Sequence, residues 1–170
     1  MDTNTNEVTK DYSPVSLIDD KYRSAMRQGQ RVFRDNPSEL LKLRETVTSA
    51  QESIKPHYGI YPSKSAQNRR LCASWTALNN MSYMLRLDKV EVSKQKKSFP
   101  GMDSISMVAN HIAMNPPTGF KEAVQKARVG LSEFENLFPF GCPSYELIND
   151  AISKLDRVAM DLGLPRAVGQ

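Results

Sequence analysis

Apolar side chains recur every three or four residues along most of this sequence, and that period constrains its fold more than any other feature. Helices are predicted over six segments, at about 14–34, 37–55, 65–87, 104–114, 119–138 and 143–162. The alternation typical of a strand occurs only in the short run from Val90 to Val92. We therefore expect an all-α fold.

Residues suited to helix ends occur at these boundaries. Pro37 and Glu39 predict a helix start with a capping box. Side chains suited to N-capping precede the second, fourth and fifth helices: Asn36, Asp103 or Ser104, and Thr118. Gly163, followed by an apolar residue and a proline, predicts a Schellman end for the last helix.

The length of 170 residues fits one domain. Residues 1–13 are polar and show no apolar period, so they are interpreted as a flexible acidic arm. Residues 14–170 are predicted to form a single helical domain, a compact bundle of about six helices. Because residues 139–143 form a short connection, the last two helices are expected to be an antiparallel hairpin.

The fifth predicted helix carries a seam of apolar side chains at spacings of four and three residues. The seam consists of Phe120, Val124, Ala127, Leu131, Phe134 and Phe138. One interpretation is that it completes the core of a single bundle. The other is that it pairs with a second copy of the chain and makes a homo-oligomer.

Positive charge is concentrated in two segments, although the net charge is only +4. The first predicted helix has one row of arginines on the face opposite its apolar side: Arg23, Arg27, Arg31 and Arg34. Residues 61–97 contain eight Lys or Arg against two acidic residues, with aromatic side chains among them. The candidate binding residues in this segment and just beyond it are Lys64, Arg69, Arg70, Lys89, Lys94, Lys96 and Lys97, with Tyr61 and Phe99 as candidates for base stacking.

Cations follow phosphates and aromatic rings stack on bases, so this pattern predicts a nucleic-acid-binding protein, with RNA or a single strand as its partner. Packaging, nucleocapsid assembly and accessory replication all fit such a protein. The non-functional alternative is that both basic segments are ordinary solvent-exposed surface and bind no partner. A functional alternative is an adaptor, inhibitor or structural subunit that acts through the basic face or the C-terminal hairpin.

The sequence lacks the patterns of the common enzyme classes, and a non-enzymatic protein without cofactor is expected. It contains neither a phosphate-binding glycine motif nor paired metal-ligand spacing. Its two cysteines and two histidines, Cys72, Cys142, His57 and His111, form no recognisable catalytic motif. With no export signal or apolar run of membrane-spanning length in the sequence, a cytoplasmic or other intracellular location is expected.

Overall fold

A computed structural model of the chain describes residue 27 and residues 36–92 and 104–165. These residues form five α-helices and no strand: α1 (Pro37–Ile54), α2 (Ala66–Met84), α3 (Ile105–Met114), α4 (Phe120–Ser132) and α5 (Pro143–Asp161). A short 3₁₀ helix, Lys55–His57, follows α1. The all-α prediction is thus confirmed for the described part of the chain. The predicted N-terminal arm and, apart from Arg27, the helix over 14–34 lie outside it.

Polar side chains cap α2 and α3 at their N-termini. The hydroxyl of Ser65 accepts a hydrogen bond from the backbone N–H of Asn68, and that of Ser104 accepts one from Met107. Each bond satisfies one of the free N–H groups that begin a helix. Asp103 or Ser104 was predicted to cap α3, and the cap is Ser104.

The predicted starts of α1 and α4 differ in detail from the structure. Pro37 does open α1, but the side chain of Asn36 makes no capping hydrogen bond with the described residues. Thr118 was expected to cap α4, whereas the N-cap is Gly119, with φ of 89°. A left-handed backbone at that position suits glycine, which has no Cβ to clash.

The end of α5 is a Schellman motif. Gly163 has φ of 70°, and its N–H donates to the carbonyl of Met160. The N–H of Leu164 donates to the carbonyl of Ala159, at 2.9 Å. These two bonds satisfy carbonyls that the end of the helix leaves free, and they confirm the predicted stop.

Four of the helices pack in a ring. α1 contacts α2 and α4, and α5 contacts the same two helices. The apolar sides of these four helices meet inside the ring and form the core. α3 lies outside the ring, against α2. Nothing among the described helices is both long and apolar enough to cross a membrane.

The apolar seam of the fifth predicted helix is part of this core. All six seam residues are buried, at no more than 4% exposure, within a single chain. The helix itself is shorter than predicted, because it ends at Ser132 and residues 133–138 form turns. Phe134 and Phe138 nevertheless remain buried. The core interpretation of the seam is therefore confirmed, and a homo-oligomer joined through these six side chains is ruled out in this conformation.

Candidate nucleic-acid interface

The structure places only some of the predicted binding residues. Seven lie outside the described part of the chain: Arg23, Arg31, Arg34, Lys94, Lys96, Lys97 and Phe99. Arg27 is helical and exposed. The remaining candidates, in residues 61–89, can be compared directly with the fold.

A basic depression lies between the first turns of α2 and the last turns of α5. Its volume is about 190 Å³. Four cationic side chains and two alanines line it: Arg69, Arg70, Lys154, Arg157, Ala66 and Ala73. Because the alanines have short side chains, they leave room between the two helices. These six residues form the basic depression.

Helical spacing explains why these side chains meet. On α2, Ala66, Arg69 or Arg70, and Ala73 follow one another at intervals of three or four residues, so they share a face. On α5, Lys154 and Arg157 are three residues apart. The apolar faces of the two helices pack together and leave these cations at the rim of their contact.

Arg70 is held by a carboxylate at the far end of α5. Its Nε and Nη2 atoms donate to the two carboxylate oxygens of Asp161, each at 2.7 Å. This hydrogen bonding raises the pKa of Arg70, so the guanidinium stays charged. Its Nη1 atom has no acceptor among the described residues, and it remains able to donate to a ligand in the depression.

The other three cations of the depression differ in how far they are neutralised. Lys154 forms an ion pair with Asp150, at 2.5 Å. Among the described residues, Arg69 donates to the backbone carbonyl of Lys64, at 3.4 Å, and to no carboxylate. Arg157 is exposed and has neither an ion pair nor a hydrogen bond within the described part of the chain. The depression therefore has one guanidinium on each helix without a carboxylate partner, and guanidinium groups bind phosphate oxygens through paired N–H donors.

Tyr61 is not available for base stacking. Only 3% of it is exposed, and its ring packs edge-on against Phe120, with 6.1 Å between ring centroids. Burial, with a further contribution from the charge of Asp161, raises the pKa of its hydroxyl well above the ordinary value for tyrosine. The prediction that Tyr61 stacks on a base was therefore wrong, because the ring belongs to the core.

Lys89 lies away from the depression. It follows the C-terminal end of α2, and the helix rises about 22 Å from Arg69 to Met84. Its ammonium pairs with Glu91 at 3.7 Å, and both side chains are exposed. Lys64, in contrast, precedes the first turn of α2 and is exposed beside Arg69. The structure thus brings Lys64, Arg69 and Arg70 together and leaves Lys89 apart.

Lys154 and Arg157 were missed by sequence reasoning. They occur in the last third of the chain, whose net charge is slightly negative, so charge clustering gave no signal there. The sequence did contain one signal for a shared surface. Lys154 and Arg157 are three residues apart, on the side of α5 that carries none of its buried residues. The sequence did not indicate that this side borders the first turns of α2.

No family model matches the chain, and searches of curated proteins and of solved structures also gave no match. Within the described residues, no group of three or more His, Cys, Asp or Glu side chains is arranged to hold a metal ion. The basic depression is therefore the feature of the described residues that bears on function.

Proposed function

We propose that the protein binds nucleic acid through its phosphates and that the basic depression is a principal contact. The observation that supports this most directly is the pair of exposed guanidinium groups, Arg69 and Arg157, on opposite sides of the depression. Arg70 adds a free Nη1 donor, and Lys64 adds a further charge at the rim. Such groups neutralise phosphates of any sequence.

The proposed contact is with the sugar-phosphate backbone of the nucleic acid rather than with its bases. No aromatic side chain is among the described residues that line the depression. The expectation of RNA or a single strand depended on stacking by Tyr61 and Phe99, and Tyr61 is buried. We therefore propose binding that depends on charge and discriminates little between RNA and DNA. This binding suits an intracellular packaging, nucleocapsid or replication-accessory protein.

Lys154 and Arg157 owe their position to the packing of α5 against α2 and α4. We propose that α4 and α5 form the antiparallel hairpin that their short connection predicts. Direct contact between the two helices supports this arrangement. In it, α4 packs against one side of α5, and the cations lie on the side of α5 that borders α2.

The decisive experiment measures binding of the full chain to fluorescent single-stranded RNA, single-stranded DNA and duplex DNA over a range of salt concentrations. The logarithm of the binding constant should fall linearly with the logarithm of the salt concentration. The double variant Arg69→Gln/Arg157→Gln should bind at least about tenfold more weakly, and its salt slope should be smaller by roughly 2, since each lost phosphate contact removes about 0.9.

Two control variants locate the contact. Lys126→Gln removes an exposed charge from α4, and Lys89→Gln removes one that lies beyond the C-terminal end of α2. Each should bind close to the level of the parent protein. If the double variant binds as strongly as the parent protein, the basic depression does not contact the nucleic acid. Failure to bind any nucleic acid, together with binding to polyglutamate, would favour the adaptor function instead.

A further inference from the structure

The cations of the basic depression surround one small space and do not follow a line along the surface. Arg69 and Arg70 line it from α2, and Lys154 and Arg157 line it from α5. Packed helices lie about 8–10 Å apart, a distance that long side chains on facing helices can bridge. The volume of about 190 Å³ equals roughly six water molecules at ~30 Å³ each. The depression therefore has room for one phosphate group and not for a length of strand.

The charge of the basic depression matches that of a dianion. Two of its cations are each paired with a carboxylate, Arg70 with Asp161 and Lys154 with Asp150. The four cations and these two carboxylates together have a net charge of +2. A phosphodiester inside a strand carries one negative charge, whereas a phosphate monoester carries about −1.5 to −2 at pH 7. A monoester therefore neutralises the depression more completely than a diester does.

The guanidinium groups match the oxygens that a monoester offers. Asp161 accepts from Nε and Nη2 of Arg70, each at 2.7 Å, which fixes the plane of this guanidinium and leaves Nη1 for a ligand. Arg69 and Arg157 have no carboxylate partner among the described residues, and a guanidinium donates to phosphate through paired N–H groups. A monoester has three terminal oxygens that accept these bonds, one for each arginine, whereas a diester has two.

We propose that the basic depression binds a phosphate monoester at the end of a nucleic-acid strand. This inference rests on the proposed nucleic-acid function and specifies the group that the depression takes. The three arginines donate to the terminal oxygens, and Lys154 adds charge to the wall. Lys64, which is exposed beside Arg69, then contacts a phosphodiester farther along the strand.

The test compares strand ends in competition for the full chain. The tracer is a short single strand with an internal fluorophore and a phosphate at both ends. The competitors share its sequence and carry a hydroxyl at both ends, a phosphate at the 5′ end or a phosphate at the 3′ end. A hydroxyl-ended strand one nucleotide longer controls for the added charge. Adenosine monophosphate and cyclic adenosine monophosphate, a monoester and a diester of one nucleoside, are the mononucleotide competitors.

We expect a phosphate at one of the two ends to strengthen binding at least about tenfold, because it adds several charge-assisted hydrogen bonds. The longer hydroxyl-ended strand should bind as its shorter counterpart does. Adenosine monophosphate should compete better than the cyclic diester and less well than the phosphate-ended strand. Equal competition by adenosine monophosphate and that strand would assign the depression to free nucleotides and overturn the inference. Equal binding of all strands would overturn it and leave the proposed function standing, whereas a tracer that does not bind would overturn both.

Arg157→Lys separates the geometry of the site from its charge, because lysine keeps the charge and lacks the paired donors. The ratio of binding constants for phosphate-ended and hydroxyl-ended strands should fall at least about threefold. Arg86→Lys is the matched control, since Arg86 is exposed just beyond the C-terminal end of α2, and it should keep the parent ratio. Circular dichroism should show unchanged helix content in both variants, because both positions are exposed. An unchanged ratio in Arg157→Lys would overturn the assignment of the terminal oxygens to the arginines.

Discussion

Arg128 on α4 and Asp156 on α5 form an ion pair, with 3.2 Å between Nη1 and Oδ1, although only 1% of the arginine side chain is exposed. The same guanidinium donates from Nε to Oε1 of Gln125, at 3.0 Å, and from Nη2 to the carbonyl of Pro165, at 2.6 Å. A buried charge is stable only when such acceptors surround it. Arg128 therefore joins α4, α5 and the chain that follows α5.

Replacing Asp156 by alanine should leave the buried charge of Arg128 without its carboxylate. We expect the free energy of unfolding to fall by about 2 kcal/mol, less than the full cost of unpairing a buried ion, because 30% of the Asp156 side chain is exposed. Urea denaturation measures the change. Asp150→Ala is the control, since its partner Lys154 is partly exposed, and it should change stability by less than about 0.5 kcal/mol. Equal effects of the two substitutions would contradict this account of Arg128.

Leu131→Asp should prevent folding. Leu131 is fully buried, so the substitution removes apolar contacts and places a charge in the core, at a cost above about 4 kcal/mol. Val129→Asp, at an exposed position on the same helix, should give a folded protein. Circular dichroism and gel filtration distinguish the outcomes. A folded, monomeric Leu131→Asp protein would show instead that the seam faces a second copy.

Tyr61→Phe should stabilise the protein at neutral pH. The Tyr61 hydroxyl is buried and has no hydrogen-bond partner among the described residues. Because an unsatisfied buried hydroxyl costs about 1–3 kcal/mol, removing it should raise the free energy of unfolding by about 1 kcal/mol. Thermal denaturation of the two proteins measures this difference. A loss of stability would show that the hydroxyl has a partner in the folded protein.

Alkaline pH should destabilise the parent protein more than the Tyr61→Phe variant. In the unfolded chain a tyrosine loses its proton near pH 10, whereas burial raises the pKa of Tyr61 in the folded state. Above pH 10 the unfolded state therefore binds fewer protons, and stability falls by at most about 1.4 kcal/mol per pH unit for this residue. Tyr58, whose pKa is also raised by burial, should account for part of the loss that remains. Urea midpoints between pH 9 and 11 give the comparison, and parallel curves would contradict it.

Gly163→Ala should weaken the end of α5. With φ of 70°, Gly163 occupies a left-handed conformation that alanine adopts only with strain. We expect a loss of about 1 kcal/mol in the free energy of unfolding, measured in urea. Gly163→Asn should cost less, because asparagine tolerates this conformation better than alanine. The opposite order would contradict a conformational origin of the loss, since a Cβ at Gly163 meets no other atom within 4 Å.

Local signals in the sequence predicted much of the fold. The start of α3 and the end of α5 were predicted from Ser104 and Gly163, because capping and left-handed turns depend on residues that are neighbours in the sequence. The apolar period also predicted most of the core. It overestimated the length of α4, because Phe134 and Phe138 continue the apolar spacing and remain buried after the helix has ended at Ser132.

The candidate site was less predictable because it depends on which helix faces meet. Arg69 and Arg70 were found from the charge of their own segment, but Lys154 and Arg157 come from a distant and mildly acidic one. Tyr61 shows the same limit, because an aromatic residue among cations has the same local pattern whether it is exposed or buried. Asp161, about ninety residues from Arg70, neutralises that arginine in a way that charge counting along the chain could not reveal.

The closed ring of helices has a consequence for how this protein is made. α1 contacts α4, so its packing is complete only when α4 has been synthesised. α2 and α4 both pack against α5, so their apolar faces are covered only when α5 has been synthesised. A nascent chain that ends before Pro143 therefore exposes the apolar faces of two helices, α2 and α4, to solvent. Truncated translation products of this kind should be recognised by chaperones or degraded, whereas the chain that includes α5 can bury its core in one cooperative step.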